Sequence, residues 1–485
     1  MKSLRKQGMI IFIAFALVLS ACGGDAVEEE VVEEAAPEVV ETLDSPAVTT
    51  AQTVKTGVGV TEEACPASYA ALGTQVPTGA DPDKGCIYLG LLNDYTGPFA
   101  AAGPALEGAQ RAFWLWVNST GGIGDYSVAI IDGYDTAYNP AKMIEGYAAQ
   151  KDQVAALAMS LGTVQTQFIL DEMDKDDMIA APMSWWSGWS YKEGDRGLGI
   201  EFGSSYCAQG MNIVDWGVET LPVPIKTIGF IGYAGDYAAD FLAGVKAAAA
   251  TNGLTLAWEY VPSITEFDIS AAVGLMATQP VDAVYMSTSP GQTSQISGGA
   301  AQLGIVPLTF MAAPAYNEAF IADGSPIQGL FTSGAFYTAA WVDPYEANTP
   351  GHEAMRQTWG GALGQTSGSA YVVAGWSSQY HLKGVLEAAL KGGDLTRAGI
   401  RRAAANVDVK SDGMMPTRTL GKDQAETSTS ITAPDTSVAS GSKLVKSNYS
   451  GPTAAAHDWS GPCSCLLYTS PSPRDVEESR MPSSA

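Results

Sequence analysis

Ile87-Tyr88-Leu89-Gly90-Leu91-Leu92-Asn93-Asp94-Tyr95-Thr96-Gly97-Pro98-Phe99 sets a short apolar run against a turn-forming loop, and an amphipathic helical pattern starts a few residues later at Gly103. An unbroken apolar run of this length reads as a strand covered on both faces. Glycine in the loop lets backbone approach a ligand, and free N–H groups at the following helix start suit an anion. Taken alone, the same loop equally describes an ordinary βα turn. The next unit carries a similar pattern. Asn118-Ser119-Thr120-Gly121-Gly122-Ile123 precedes a second apolar run, and Ile131-Asp132-Gly133-Tyr134-Asp135-Thr136-Ala137-Tyr138-Asn139-Pro140-Ala141-Lys142 follows it.

Working outward, apolar runs predict strands over 87–92, 128–132, 154–159, 178–181, 227–233, 254–261, 283–287, 308–311 and 329–332. Helices are predicted over 103–118, 140–150, 236–252, 293–303 and 370–391, several with Pro or Asp near the start. Strand and helix alternate, which is the signature of βα units on parallel sheets. The series pauses at 201–210, where Phe202-Gly203-Ser204-Ser205-Tyr206 reads as a connector, and restarts at Thr227. The fold class is therefore α/β, with two doubly wound Rossmann-like lobes. A ligand of such a chain binds outside the carboxyl ends of the strands, at the lobe interface.

The T-G-P loop, the N-x-x-G-G-I turn, a strand ending in Asp and the N-P-x-K helix start together resemble the periplasmic branched-chain amino-acid-binding proteins, ligand receptors of ABC transporters. The resemblance covers about residues 86–420 and includes Gly162-Thr163-Val164-Gln165-Thr166-Gln167, Ala181-Pro182 and Asp236-Tyr237. It implies a type I periplasmic binding protein, two lobes joined by three crossover strands and closing by hinge bending. Lobe I is then expected over 61–205 and 333–410, and lobe II over 206–332 and 411–464. The ligand set implied is Tyr95, Thr96, Gly97, Thr163, Gln165, Ser184, Trp185, Tyr237 and Ser289. Within it Thr163 takes the family's carboxylate-binding hydroxyl, Ser184 and Trp185 the fourth-loop contacts and Tyr237 the lobe II aromatic.

Three positions depart from the family pattern. Pro314 stands where the carboxylate for a ligand ammonium belongs, Ser289 where a tyrosine belongs and Ala102 where an aromatic belongs. A zwitterionic aliphatic amino acid is thus not the expected ligand, unless Asp236 or Glu318 supplies the acid from a shifted position. Trp185, Trp186 and Trp189 crowd one strand end, which fits a bulky, partly apolar ligand or a cation over a ring. Trp185 is the expected wall, and Trp189 reads equally as core packing.

The chain's ends carry separate signals. Lys2, Arg5 and Lys6, an apolar stretch and Leu19-Ser20-Ala21-Cys22 form a lipobox-type signal over 1–21, with Cys22 as the lipidation site; a plain secretory signal is the alternative. The apolar stretch is too short to span a bilayer of about 30 Å. Residues 22–60, acidic and without an aromatic residue, predict a disordered tether. Residues 465–485 resemble translated adaptor sequence and are set aside as non-native.

In an oxidising compartment Cys65 and Cys86 are the expected disulfide, worth about 3 kcal/mol for a loop of about 20 residues. Cys207 is left odd and buried. A zinc site is not expected, because His352, His381 and His457 lack ligand spacing.

Composition narrows the function. With 26 basic against 52 acidic residues the chain of 485 residues carries −26, a field that repels nucleic acid. Hydrophobic residues at 46% and charged residues at 16% describe a globular chain. No nucleophile elbow, H-E-x-x-H or phosphate loop is present, so an enzyme is not expected, nor any cofactor or metal. The expectation is an extracytoplasmic, lipid-anchored monomer that passes a small polar solute, branched-chain amino acid-like, an amide or a carboxylate, to an ABC permease. A sensor module signalling to a membrane receptor is the alternative.

Overall fold

The computed structural model describes residues 53–71, 74–365, 368–422 and 425–464. The expectations for 1–21, for Cys22, for the tether as far as 52 and for 465–485 lie outside those residues. Order begins earlier than the tether expectation allowed. Lys55–Thr56 pairs with Asp394–Leu395, and Val60–Thr61 lies antiparallel against the first long strand, so the last part of 22–60 is pinned to lobe I.

Lobe I is built on β1 (Gly85–Asn93), β2 (Tyr126–Ile130), β3 (Ala156–Leu161) and β4 (Ala180–Met183), parallel and in the order β2-β1-β3-β4. Its motifs act as fasteners. Asn118, near the end of α1 (Gly103–Ser119), takes the Val128 amide at 2.8 Å and donates to the Thr78 and Val128 carbonyls, locking that helix to β2. Asn139 caps α2 (Pro140–Gln150) through the Ala141 amide at 2.9 Å, with Pro140 in the first turn, where its missing N–H costs nothing.

Lobe II repeats the plan. After α3 (Tyr206–Thr220), the strands β5 (Thr227–Gly232), β6 (Thr255–Tyr260), β7 (Ala283–Ser287), β8 (Leu308–Ala312) and β9 (Phe336–Ala340) run parallel in the order β6-β5-β7-β8-β9. The helix α4 (Asp236–Asn252) follows β5 and packs on α3. The chain then returns to lobe I, where α5 (Pro350–Leu363) and α6 (Ala370–Lys391) pack on α1. It ends in lobe II with the antiparallel pair β10 (Thr429–Pro434) and β11 (Ser442–Tyr449) on the β9 edge. In each lobe the strand order reverses beside the first strand, so both switch points open at strand carboxyl ends.

Two lobe boundaries move. The predicted strand 329–332 is a helical turn, Gln328–Phe331, and lobe II instead gains β9, so the second crossing follows Ala340 rather than 332. A short apolar run has no period by which strand and helix can be told apart. The third crossing lies between Leu420 and Thr429 rather than at 410, because Arg418–Leu420 pairs with Val407–Val409 beside α6. Around these crossings Thr429 donates to Ser204 Oγ at 2.9 Å, Arg418 and Glu201 form a buried ion pair, and His381 Nδ1 lies 2.7 Å from the Glu201 carbonyl.

Cys65 and Cys86 are bonded, stapling the hairpin that follows Cys65 to β1. Cys207 is not odd. It is bonded to Cys463, across a separation of 256 residues that no local spacing could reveal. His457 Nε2 lies 3.6 Å from Cys463 Sγ, so the fold does gather a histidine and two cysteines, but the sulfurs are bonded to each other and are not free thiolate ligands.

Candidate ligand pocket between the lobes

The strand ends of the two lobes enclose a narrow pocket, at the place where ligands of doubly wound sheets bind. Lobe I contributes Phe99, Ala102 and Leu106 from the first loop and α1, Tyr138 before α2, Leu161 and Gly162 after β3, and Met183 and Trp185 after β4. Lobe II contributes Tyr206, Tyr237 and Pro314, while Trp341 comes from the second crossing and Tyr371 from the start of α6. Among the described residues, no acidic or basic side chain lines it.

The rings pack against one another around the pocket. Trp185 stacks on Trp341 at 4.1 Å, Tyr206 meets Tyr237 at 4.6 Å and Phe99 meets Tyr138 at 4.8 Å. The hydroxyls of Tyr138 and Tyr233 come within 3.5 Å of each other from opposite lobes. Tyr371 donates to the Pro314 carbonyl at 2.9 Å. Burial pushes the Tyr138 phenol up to about 12 and those of Tyr206 and Tyr237 well above the usual tyrosine value, so all three remain neutral hydroxyls.

Gly162 shapes the lobe I floor. Its φ is +99°, and a Cβ there would meet Gln165 Oε1 at 2.2 Å and the Tyr138 ring at 2.8 Å, so a side chain would fill the cleft from below.

Of the residues expected from sequence, Trp185 and Tyr237 line the pocket. Thr163 and Gln165 are buried immediately behind Gly162, with Gln165 Nε2 donating to the Tyr138 carbonyl at 2.9 Å. The others face elsewhere. Tyr95 donates to Glu107 at 2.7 Å and Thr96 to Asp135 at 2.7 Å, while the Gly97 amide turns in to Asp94. Ser184 accepts from Trp189 Nε1 at 2.8 Å, and Ser289 caps the helix Pro290–Gln302. The T-G-P loop is thus held by Asp94, which also takes the Phe99 amide at 2.8 Å; its polar groups are spent on its own shape, and its gift to the pocket is the Phe99 ring.

Neither shifted acid lines the pocket. Glu318 accepts from the Ala370 amide, and Asp236 is buried at the start of α4. Sequence reasoning passed over Tyr138, Tyr206, Trp341 and Tyr371. The first two stand inside stretches already singled out, whereas Trp341 follows a strand that periodicity did not show.

The sequence profile described as periplasmic binding protein matches residues 86–433. The chain belongs to the periplasmic binding protein family. No curated protein matches it in sequence. Among solved structures, a fatty acid ABC transporter substrate-binding protein from Thermomonospora curvata is similar with a TM-score of 0.72 and 24% identity, over 83% of this chain and 97% of that one. A branched-chain amino acid ABC transporter protein from Thermus thermophilus with bound valine gives 0.63 and 15%, over 76% and 98%. An isoleucine-bound branched-chain amino acid transporter substrate-binding protein from Streptococcus pneumoniae gives 0.60 and 16%, over 74% and 99%. The type I fold with two lobes, expected from the sequence, holds. Among the described residues of this periplasmic binding protein no helix is long and apolar enough to cross a membrane.

Beside the pocket, the periplasmic binding protein ties its lobes through Asp240 of α4. That carboxylate takes the Ser187 amide at 2.9 Å, the Ser187 hydroxyl at 2.5 Å and the Cys207 amide at 3.0 Å. Burial nevertheless raises its carboxyl to about 6. The folded state then holds this proton more tightly than the unfolded chain, whose aspartates titrate near about 3.9. Stability from this group is full below about pH 4 and is lost as pH rises through 6. The wild type should therefore gain stability relative to Asp240→Asn on going from pH 7.5 to 5, as read from urea midpoints; a gap that closes on acidification contradicts the assignment.

Proposed function

We propose that this protein is a lipid-anchored, extracytoplasmic receptor that closes its lobes on a small molecule with an apolar body and delivers it to an ABC importer. The observation that carries the reading is the pocket wall: aromatic and aliphatic side chains from both lobes, with no acid where an α-ammonium would sit. An unpaired buried ammonium costs several kcal/mol, which disfavours leucine, isoleucine and valine even though similar folds bind such ligands. Of the small polar solutes expected above, a carboxylate with an apolar body is the one this wall favours. The likeness to a fatty acid transporter's binding protein supports the same choice.

Calorimetry and thermal shift with octanoate, decanoate and phenylacetate against leucine, isoleucine and valine test it, because a ligand of the folded state raises the melting temperature by mass action. Decanoate should bind and shift the melting point; micromolar binding of an aliphatic amino acid would falsify the reading. Anchoring has its own test. Cys22→Ala should release the protein from the detergent phase, and a variant that still partitions there after signal removal contradicts the lipid anchor.

A further inference from the structure

Buried N–H donors in folded proteins nearly always find an acceptor, and an indole nitrogen can only donate. Trp114, Trp186, Trp189, Trp258 and Trp459 obey this rule, donating to Gln379, Ser464, Ser184 and the carbonyls of Gln279 and Ala454. Trp185 and Trp341 do not. Both are only 4% exposed, both line the interlobe pocket, and neither Nε1 has an acceptor among the described residues. Trp376 also lacks one, but it lies against Phe113 and Trp116 in the helical core away from the pocket. The two orphan donors at the pocket belong to one stacked pair, with centroids 4.1 Å apart and planes 22° from parallel.

We propose that the stacked indoles of Trp185 and Trp341 are the polar anchor of the pocket, their N–H groups donating to the carboxylate of the ligand while its apolar body lies against Phe99, Leu106, Tyr138 and Tyr371. This deepens the apolar-acid reading and rests on it. Neutral donors suit the site, because the pocket offers no cation and a hydrogen bond to a charged oxygen is about twice as strong as one to a neutral group. The pair also couples recognition to closure. Trp185 follows β4 of lobe I and Trp341 follows β9 of lobe II, so one head group engages both lobes at the second crossing.

The test is a proton–nitrogen NMR titration of protein labelled with nitrogen-15 in its tryptophans, using decanoate, 1-decanol and leucine as probes. On adding decanoate, the Nε1–H signals missing from Trp185→Phe and Trp341→Phe should move downfield, and each variant should bind decanoate at least tenfold more weakly. Decanol, with its uncharged oxygen, should lose less than threefold. The wild-type spectra carry the result even where a variant folds poorly, since Trp→Phe changes at the other tryptophans identify the same two indole signals by elimination. Decanoate binding with both indole signals unmoved overturns the anchor and leaves the apolar-acid reading standing. A wild type that binds no decanoate overturns both.

Discussion

Trp185→Ala should abolish ligand binding, weakening decanoate by 100-fold or more, and should lower stability by about 3 to 5 kcal/mol, the range for truncating a buried large aromatic. The indole is held by three rings, Trp341 at 4.1 Å, Phe202 at 5.3 Å and Tyr206 at 6.1 Å, which come from the second crossing, the first crossing and α3. Its removal strips one pocket wall and leaves those rings facing a void. A central aromatic anchor of this kind typically carries 2 kcal/mol or more of binding energy by itself. Trp189→Phe is the matched control. Trp189 sits in the lobe I core against Trp186 and donates to Ser184, so its loss should cost stability while leaving decanoate affinity within threefold. Equal binding losses in the two variants would remove the distinction between wall and core. Calorimetry on each, beside urea unfolding, separates the two effects.

The second large effect arises behind the pocket wall, where α3 meets α4. Helices α3 and α4 cross at two glycines: a Cβ on Gly244 would meet the Cys207 carbonyl oxygen at 2.1 Å, and one on Gly210 would meet the Phe241 carbonyl oxygen at 2.4 Å. Backbone, unlike a side-chain tip, cannot swing away, so a larger residue forces the helix axes apart and disturbs the Cys207–Cys463 bond and the Asp240 clamp with them. Gly244→Val should cost about 3 kcal/mol or more by urea unfolding. Gly274→Ala is the opposite case, a helical glycine with nothing within 4 Å of its Cβ position. That change should be neutral or stabilise by up to about 1 kcal/mol. A Gly244→Val protein as stable as wild type would mean that the helices do not cross this closely.

Much of the architecture was legible in the sequence, because strands buried on both faces must be apolar throughout and the turns between them need particular residues. The strands β1, β5, β7 and β8 lie where their apolar runs predict, and Asn118, Asn139 and the glycines between them mark their turns by local chemistry alone. The pocket was legible only in part. The motif residues that identify the family, Thr96, Gly97 and Asp135 among them, spend their hydrogen bonds on the loop that carries them. A recognisable motif here marks scaffold, and the pocket's walls are the unmarked aromatics beside it.

By itself the sequence determined the alternation of strand and helix, the two-lobed plan, the presence of proline and not an acid at 314 in what proves to be the pocket wall, and a net charge of −26. These follow from periodicity, turn chemistry and composition, each readable within a short window. Only the tertiary structure decided that Cys207 pairs with Cys463, that Trp341 meets Trp185, and that Glu318 serves the Ala370 amide instead of the pocket. Each of these joins residues about 50 to 260 positions apart. The energy of such a contact depends on how the sheets twist and where the crossings return the chain, which no local pattern encodes.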